Sequence, residues 1–123
     1  MKQGKITNKK GDVLFDKAIE CIKLLEEKKA ENTILLDMKA VNNYFNYFII
    51  TTGNSIIHNK AIYKELKKYF SGSDINLINK PDNDSPWIVM DYNDLVIHIF
   101  TSEVRDYYQL ERLWSDAQVL YKD

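Results

Sequence analysis

Between Pro86 and Phe100 two apolar, β-rich runs, Trp87 to Met90 and Leu95 to Phe100, divide with a period of two into an aliphatic set and a mixed set. That period predicts two half-buried strands, and Asp91-Tyr92-Asn93-Asp94 between them supplies the turn residues of a β-hairpin. With Tyr92-Asn93 as a two-residue loop, Asp91 faces Asp94, Val89 faces Val96 and Trp87 faces His98. Side chains of a strand point alternately to its two faces, so Ile88, Met90, Leu95, Ile97 and Ile99 share one face, which is core. The other face is mixed: Trp87, Val89, Val96, His98 and Phe100, with the two acids opposed. Like charges directly opposite each other destabilise a sheet by up to about 1 kcal/mol unless a cation lies between them.

Elsewhere the period lengthens to that of a helix. Asp12 is placed to cap a helix reaching about Lys29, with Leu14, Ala18, Cys21, Ile22 and Leu25 on one side. Ser55 caps a second, to about Phe70, with Ile62, Leu66 and Tyr69 as its buried stripe and Lys60, Lys64, Lys67 and Lys68 solvated. Thr101 or Ser102 opens a third, predicted to run to about Tyr121, with Leu110, Leu113, Ala117 and Leu120 in line. Short apolar runs predict strands at 33–37, 47–52 and 75–78. Met38 to Asn46 reads as a polar connection, and Lys80 to Pro86 as a loop leading into the hairpin. Residues 1–11, with four lysines and two glycines, are expected to be a flexible tail, and 12–123 a single domain.

Charge adds something the pattern does not. The net charge of −1 divides into +5 over residues 1–80, with 14 Lys against 9 acids, and −6 over residues 81–123. The acidic half contains the hairpin and favours a basic protein surface over nucleic acid. One cysteine excludes an intramolecular disulfide, and no apolar run approaches the roughly 18 residues of a membrane span. Absence of such a span and of a signal-peptide core makes a cytoplasmic protein the expectation.

Candidate chemistry is sparse. Thr51-Thr52-Gly53-Asn54-Ser55 puts Gly and small hydroxyl residues before a helix, as phosphate cradles do, but also as an ordinary turn and N-cap do. It lacks the Lys-Ser/Thr of a P-loop. Asp37 is read as a loop cap and Cys21 as a small core residue. Two histidines 40 residues apart without a Cys/His cluster argue against zinc, and no nucleophile elbow is present. A carboxylate pair for Mg²⁺ at Asp91 and Asp94 would lack a neighbouring phosphate site. Arg105 and Arg112 are the chain's only arginines, candidates to pair with Asp91 or Asp94. No cofactor, metal or catalytic residue is therefore assigned.

Several motifs occur together in a recognisable order: Tyr47-Phe48-Ile49-Ile50-Thr51-Thr52-Gly53-Asn54-Ser55, then Pro86 to Phe100, then Glu103-Val104-Arg105-Asp106-Tyr107-Tyr108, then Leu110 to Ala117. In this order, over about residues 12–121, the chain resembles the ribosomal silencing factor, or Iojap, family. The resemblance implies an α/β fold related to nucleotidyltransferases but without their catalytic acids, here a mixed sheet of about five strands with flanking helices. It implies binding to ribosomal protein fourteen of the large ribosomal subunit, blocking of small-subunit joining and repression of translation when nutrients run low. Asn93 stands where that family usually has Gly, and Lys80 to Asp84 replace a usual Glu-Gly. Trp87, Asp91, Tyr92, Asp94 and His98 match the motif. With Val89, Val96 and Phe100 they form the expected partner-binding face, which joins apolar contact area to unpaired acids. Two other classes stay open. A nucleotidyltransferase would need an acid pair on the strand after the Gly53 loop, and the predicted strand 75–79 has none. A homodimeric scaffold would use the hairpin face for self-association.

Overall fold

Asp12 accepts a hydrogen bond from the Phe15 N–H (3.0 Å) and thereby caps helix α1, Val13–Glu27, in the computed structural model, which describes residues 5–6, 12–41 and 46–123. Phe15, Ala18, Cys21, Ile22 and Leu25 recur at the helical period and are buried. The chain turns through Lys29 (φ 62°) into strand β2, Glu31–Asp37, and returns as β3, Tyr47–Gly53, antiparallel to it. Residues 42–45 of the expected polar connection lie outside the described residues, as do 1–4 and 7–11 of the expected tail. Lys5–Ile6, within that tail stretch, forms a two-residue strand, β1, at the sheet edge.

Ser55 accepts from the His58 N–H (3.0 Å) and caps helix α2, Ile56–Phe70. Beyond it the expected strand at 75–78 does not form. The segment instead runs beside β4, Trp87–Asp91, and is fastened by one side chain. The Asn79 amide donates to the Val89 carbonyl (2.8 Å) and its oxygen accepts from the Asp91 N–H (3.0 Å), while the Ile78 N–H donates to the Asp91 carbonyl (2.7 Å). An asparagine amide offers a donor and an acceptor like a peptide group, so a single residue closes part of an edge that would otherwise invite another strand.

Strand β5, Leu95–Thr101, pairs antiparallel with β4 and parallel with β3. The register differs from expectation by two residues: Trp87 faces Phe100, Val89 faces His98 and Asp91 faces Val96. Tyr92 donates its N–H to the Leu95 carbonyl (2.9 Å), leaving Asn93-Asp94 as the turn, with Asn93 at φ 77°. Asn is one of the few residues that accept this left-handed conformation, and the Asp91 carboxylate holds it by accepting from the Asn93 N–H (2.8 Å). Asp91 and Asp94 are therefore not cross-strand neighbours. Each partner moves by two positions, so the division into faces is unchanged.

The third helix is shorter than its periodicity predicts. Helix α3, Ser102–Tyr108, ends at Gln109, which takes φ 48°, and α4, Leu110–Leu113, adds one turn. The chain then becomes strand β6, Gln118–Lys122, pairing antiparallel with β2 and with β1. Leu120 is buried as expected, but from a strand. The spacing of Leu110, Ala117 and Leu120 fits a helix locally, yet β2 needs partners for the N–H and C=O groups of its outer edge, and β6 provides them. The side chain of Leu113 lies outside the described set.

The six strands lie in the order β1-β6-β2-β3-β5-β4. Helices α1 and α2 cover one face, burying Leu35, Ile49, Ile88, Met90, Ile97 and Ile99; α3 and α4 cover the other, over Ile34, Leu36, Phe48, Ile50, Val96 and Phe100. The protein is thus an α/β sandwich around a mixed sheet.

Candidate functional site

The mixed face of the hairpin is the floor of the α3/α4 layer. Val96, His98 and Phe100 are buried there. Trp87 and Val89, on the edge strand, are only half-buried. Trp87 packs on Phe100 (centroids 5.0 Å apart) and under Tyr108 (4.9 Å), while Trp114 stands edge-on to Phe48 (4.7 Å). Aromatic pairs at such distances contribute about 0.5–1.5 kcal/mol beyond the area they bury. The cover stops short: Tyr107 is 81% exposed and Tyr108 49% exposed, the two rings edge to face at 5.0 Å. What remains accessible is an aromatic ledge of Trp87, Tyr107, Tyr108 and Trp114.

The ledge rests on a neutral histidine. The Trp87 indole N–H can only donate, so His98 Nδ1, 3.2 Å away, accepts and the imidazole proton sits on Nε2. That Nε2 is buried with no partner among the described residues. Burial lowers the His98 pKa to about 4, because the imidazolium would lose its hydration among rings.

The residues of the expected face are thus divided between the two sides of the sheet and the hairpin tip. Tyr92 lies on the opposite side of the sheet, largely buried against Phe70 at 4.3 Å between centroids, and so is not part of this face. Val96, His98 and Phe100 act through packing beneath the ledge. Trp87, Val89 and Asp91 reach the surface in part and Asp94 fully. Neither acid is ion-paired among the described residues; Asp94 uses its backbone carbonyl, accepting from the Asn46 (3.0 Å) and Tyr47 (2.9 Å) N–H groups, to anchor the hairpin tip. Arg105 does not reach them. It donates to the Asn32 carbonyl and to Thr52 Oγ1 (2.9 Å), tying α3 to the far ends of β2 and β3. Tyr107 and Tyr108 were missed because spacing alone placed them inside a long helix. Two adjacent tyrosines just before a helix-ending polar residue were the available signal.

The Gly53 loop is built as a close-packed cap. Gly53 is there because a Cβ would lie 1.7 Å from the Asn59 Oδ1, and the His58 Nδ1 accepts from the Asn54 N–H (3.0 Å). Since 75–78 is not a strand, the next strand after this loop is β4, whose acid is Asp91. The register Asp91–Val96–Phe48 puts that acid five residues along β3 from Gly53, about 17 Å at strand rise. Among the described residues no group of three or more His, Cys, Asp or Glu could hold a metal ion. The Cys21 thiol is buried and pushed up from its usual pKa by desolvation, fitting a core residue. Asp37 accepts from the Lys39 N–H (3.0 Å), which is the loop-capping role expected. No helix among the described residues is long and apolar enough to cross a membrane.

Comparison with known proteins places this geometry in context. The model of a family described as ribosomal silencing factor during starvation matches residues 13–123. The ribosomal silencing factor RsfS of Bacillus subtilis is 36% identical over 93 residues, covering 75% of this chain and 79% of that protein. A mouse protein named mitochondrial assembly of ribosomal large subunit protein 1 is 28% identical over 100 residues, 76% of this chain but 43% of its own length. A crystal structure of a Chromobacterium violaceum protein superposes with a TM-score of 0.78 at 27% identity, covering 85% of this chain and 88% of that one.

Proposed function

The chain belongs to the ribosomal silencing factor family, and from that premise we propose that it binds the large ribosomal subunit through ribosomal protein fourteen and blocks small-subunit joining, repressing translation under nutrient limitation. The protein acts in the cytoplasm, as a binding protein and not as an enzyme. The observation that carries the reading is the aromatic ledge, with Asp91 at the other end of the strand that carries Trp87 and Asp94 at the hairpin tip, neither of them ion-paired among the described residues. Half-exposed aromatics bury large area at small entropy cost, and uncompensated acids match the basic surface of a ribosomal protein. The β4 edge is occupied by Asn79, so the contact is made by side chains and not by strand addition. Co-sedimentation with separated large and small subunits tests it: the protein pellets with large subunits alone, and reduces their joining to small subunits in a gradient. Pelleting with neither subunit, or equally with both, would refute the reading.

A further inference from the structure

A second surface is left unused by this reading. On the other face of the sheet, a cavity of about 530 Å³ opens between the end of α2 and the loop that follows it. Its rim carries Lys64, Lys67 and Lys68; its walls include Phe70, Ile75, Leu77 and Tyr92. All three lysines are exposed, and none makes an ion pair among the described residues, whereas Lys60 on the same helix is paired with Asp84 at 3.0 Å. Lys67 lies over the Tyr63 ring, 5.8 Å from its centroid. The loop wall is pinned: the Ser73 hydroxyl donates to the Phe70 carbonyl (2.7 Å), and the Ile75 N–H donates to Ser73 Oγ (3.2 Å). Ile75 and Leu77 are half-exposed, so apolar surface faces the opening.

We propose that this cavity is a site for single-stranded RNA, in which one unstacked base lies against Ile75, Leu77 and the rings of Phe70 and Tyr92 while the flanking phosphates meet Lys64, Lys67 and Lys68. Lys67 and Lys68 also suit the negative end of the α2 dipole, but that role needs neither Lys64 nor an apolar cavity. The lysines span about 6 Å of helix axis, wider than one phosphate, and no arginine fork is present to grip a single anion. Dispersed ammonium groups beside an apolar, aromatic floor are how chains of phosphates are tracked without reading sequence. RNA is the polyanion chosen because the family's name assigns its members to the ribosome. The inference adds to the proposed function a contact on the opposite face of the sheet from the ledge.

Fluorescence anisotropy with an eight-nucleotide single-stranded RNA, the same oligomer carrying abasic residues, and a mononucleotide as competitor tests the site on the full chain. Replacing the lysines together (Lys64→Gln, Lys67→Gln and Lys68→Gln) is expected to weaken RNA binding at least 10-fold at low salt. It should also flatten the dependence of log affinity on log salt by about 2, since each lost phosphate contact removes roughly 0.7. Abasic substitution should weaken binding about 10-fold, and Tyr108→Ala should leave it unchanged. Unaltered binding by the triple lysine variant, no loss on abasic substitution, or mononucleotide competing as strongly as the oligomer would each overturn the proposal. Because naked RNA contains no ribosomal protein, RNA binding with no large-subunit pelleting would sink the proposed function alone, and pelleting with no RNA binding would sink this inference alone.

Discussion

Over one face of the sheet lie two helices of 15 residues each, both with side-chain N-caps; over the other lie helices of seven and four residues, neither capped by a side chain. Beneath α1 and α2 the sheet presents mainly aliphatic residues, with Tyr47 and Tyr121 among them, and these strand side chains are buried. Beneath α3 and α4 the floor includes Phe48, His98 and Phe100, and the lid ends in exposed tyrosines. The first face does what folding requires. The second spends part of its apolar area on surface, which is what a binding protein must do, and it holds a polar group whose charge state burial controls.

The sharpest way to break that contrast is to cut both layers equally. Leu66→Ala in α2 should cost about 3–5 kcal/mol, because the fully buried site cannot collapse, whereas Leu110→Ala under the shorter lid should cost about 2. Denaturant unfolding of the two variants checks it, and equal losses would remove the distinction.

Acid should single out the second face. His98 has its folded pKa near 4, below its unfolded value near 6.5, so the unfolded chain takes up the proton first. Stability contributed by the neutral imidazole is complete above about pH 6.5 and is lost as pH falls toward 4, by about 3 kcal/mol in all. Carboxylates titrate too, so the measurement is a difference: unfolding of the native protein and of His98→Phe at pH 7 and pH 4.5. A fall in stability of the same size in both would show that His98 is not the group responsible.

Next in size is the ledge. Tyr108→Ala should weaken large-subunit binding by about 2 kcal/mol and move the unfolding free energy by less than about 1, since the ring is half exposed. Melting temperature and pelleting affinity, measured side by side, separate the two. Trp87→Ala is a poorer probe, because the ring also packs on Phe100 and hydrogen-bonds His98.

The smallest effect belongs to the acids. Asp91→Asn with Asp94→Asn should reduce large-subunit affinity by about 1 kcal/mol at low salt and less at high salt, where exposed charges are screened. Little stabilisation of the free protein is expected, because the acids face Val96 and solvent and not each other. An affinity loss independent of salt would mean that the acids act by shape or hydrogen bonding.

Local pattern was enough for α1, β2, β3, α2 and the hairpin's division into faces, because each depends on a period and a cap that lie within a few residues of sequence. The Asp12 and Ser55 caps, the core role of Cys21 and the family motifs were legible for the same reason. Besides the strand that does not form at 75–78, three features were not. The turn shifted by one residue because Asn93 takes the left-handed position first and the Asp94 carbonyl is engaged by Asn46 and Tyr47, a contact from the next strand over. The C-terminal segment became a strand because an unpaired β2 edge, some eighty residues earlier in the chain, outweighed a helical spacing. And Tyr92 belongs to the α2 side while Tyr108 belongs to the ledge, although both stand beside a polar residue in sequence. Which side an aromatic occupies depends on the parity of its strand or the end of its helix, and Gln109 at φ 48° set the second of these. Sequence periodicity determined which residues seek burial; only the assembled sheet decided how far the cover extends, and therefore which of them are left for a partner.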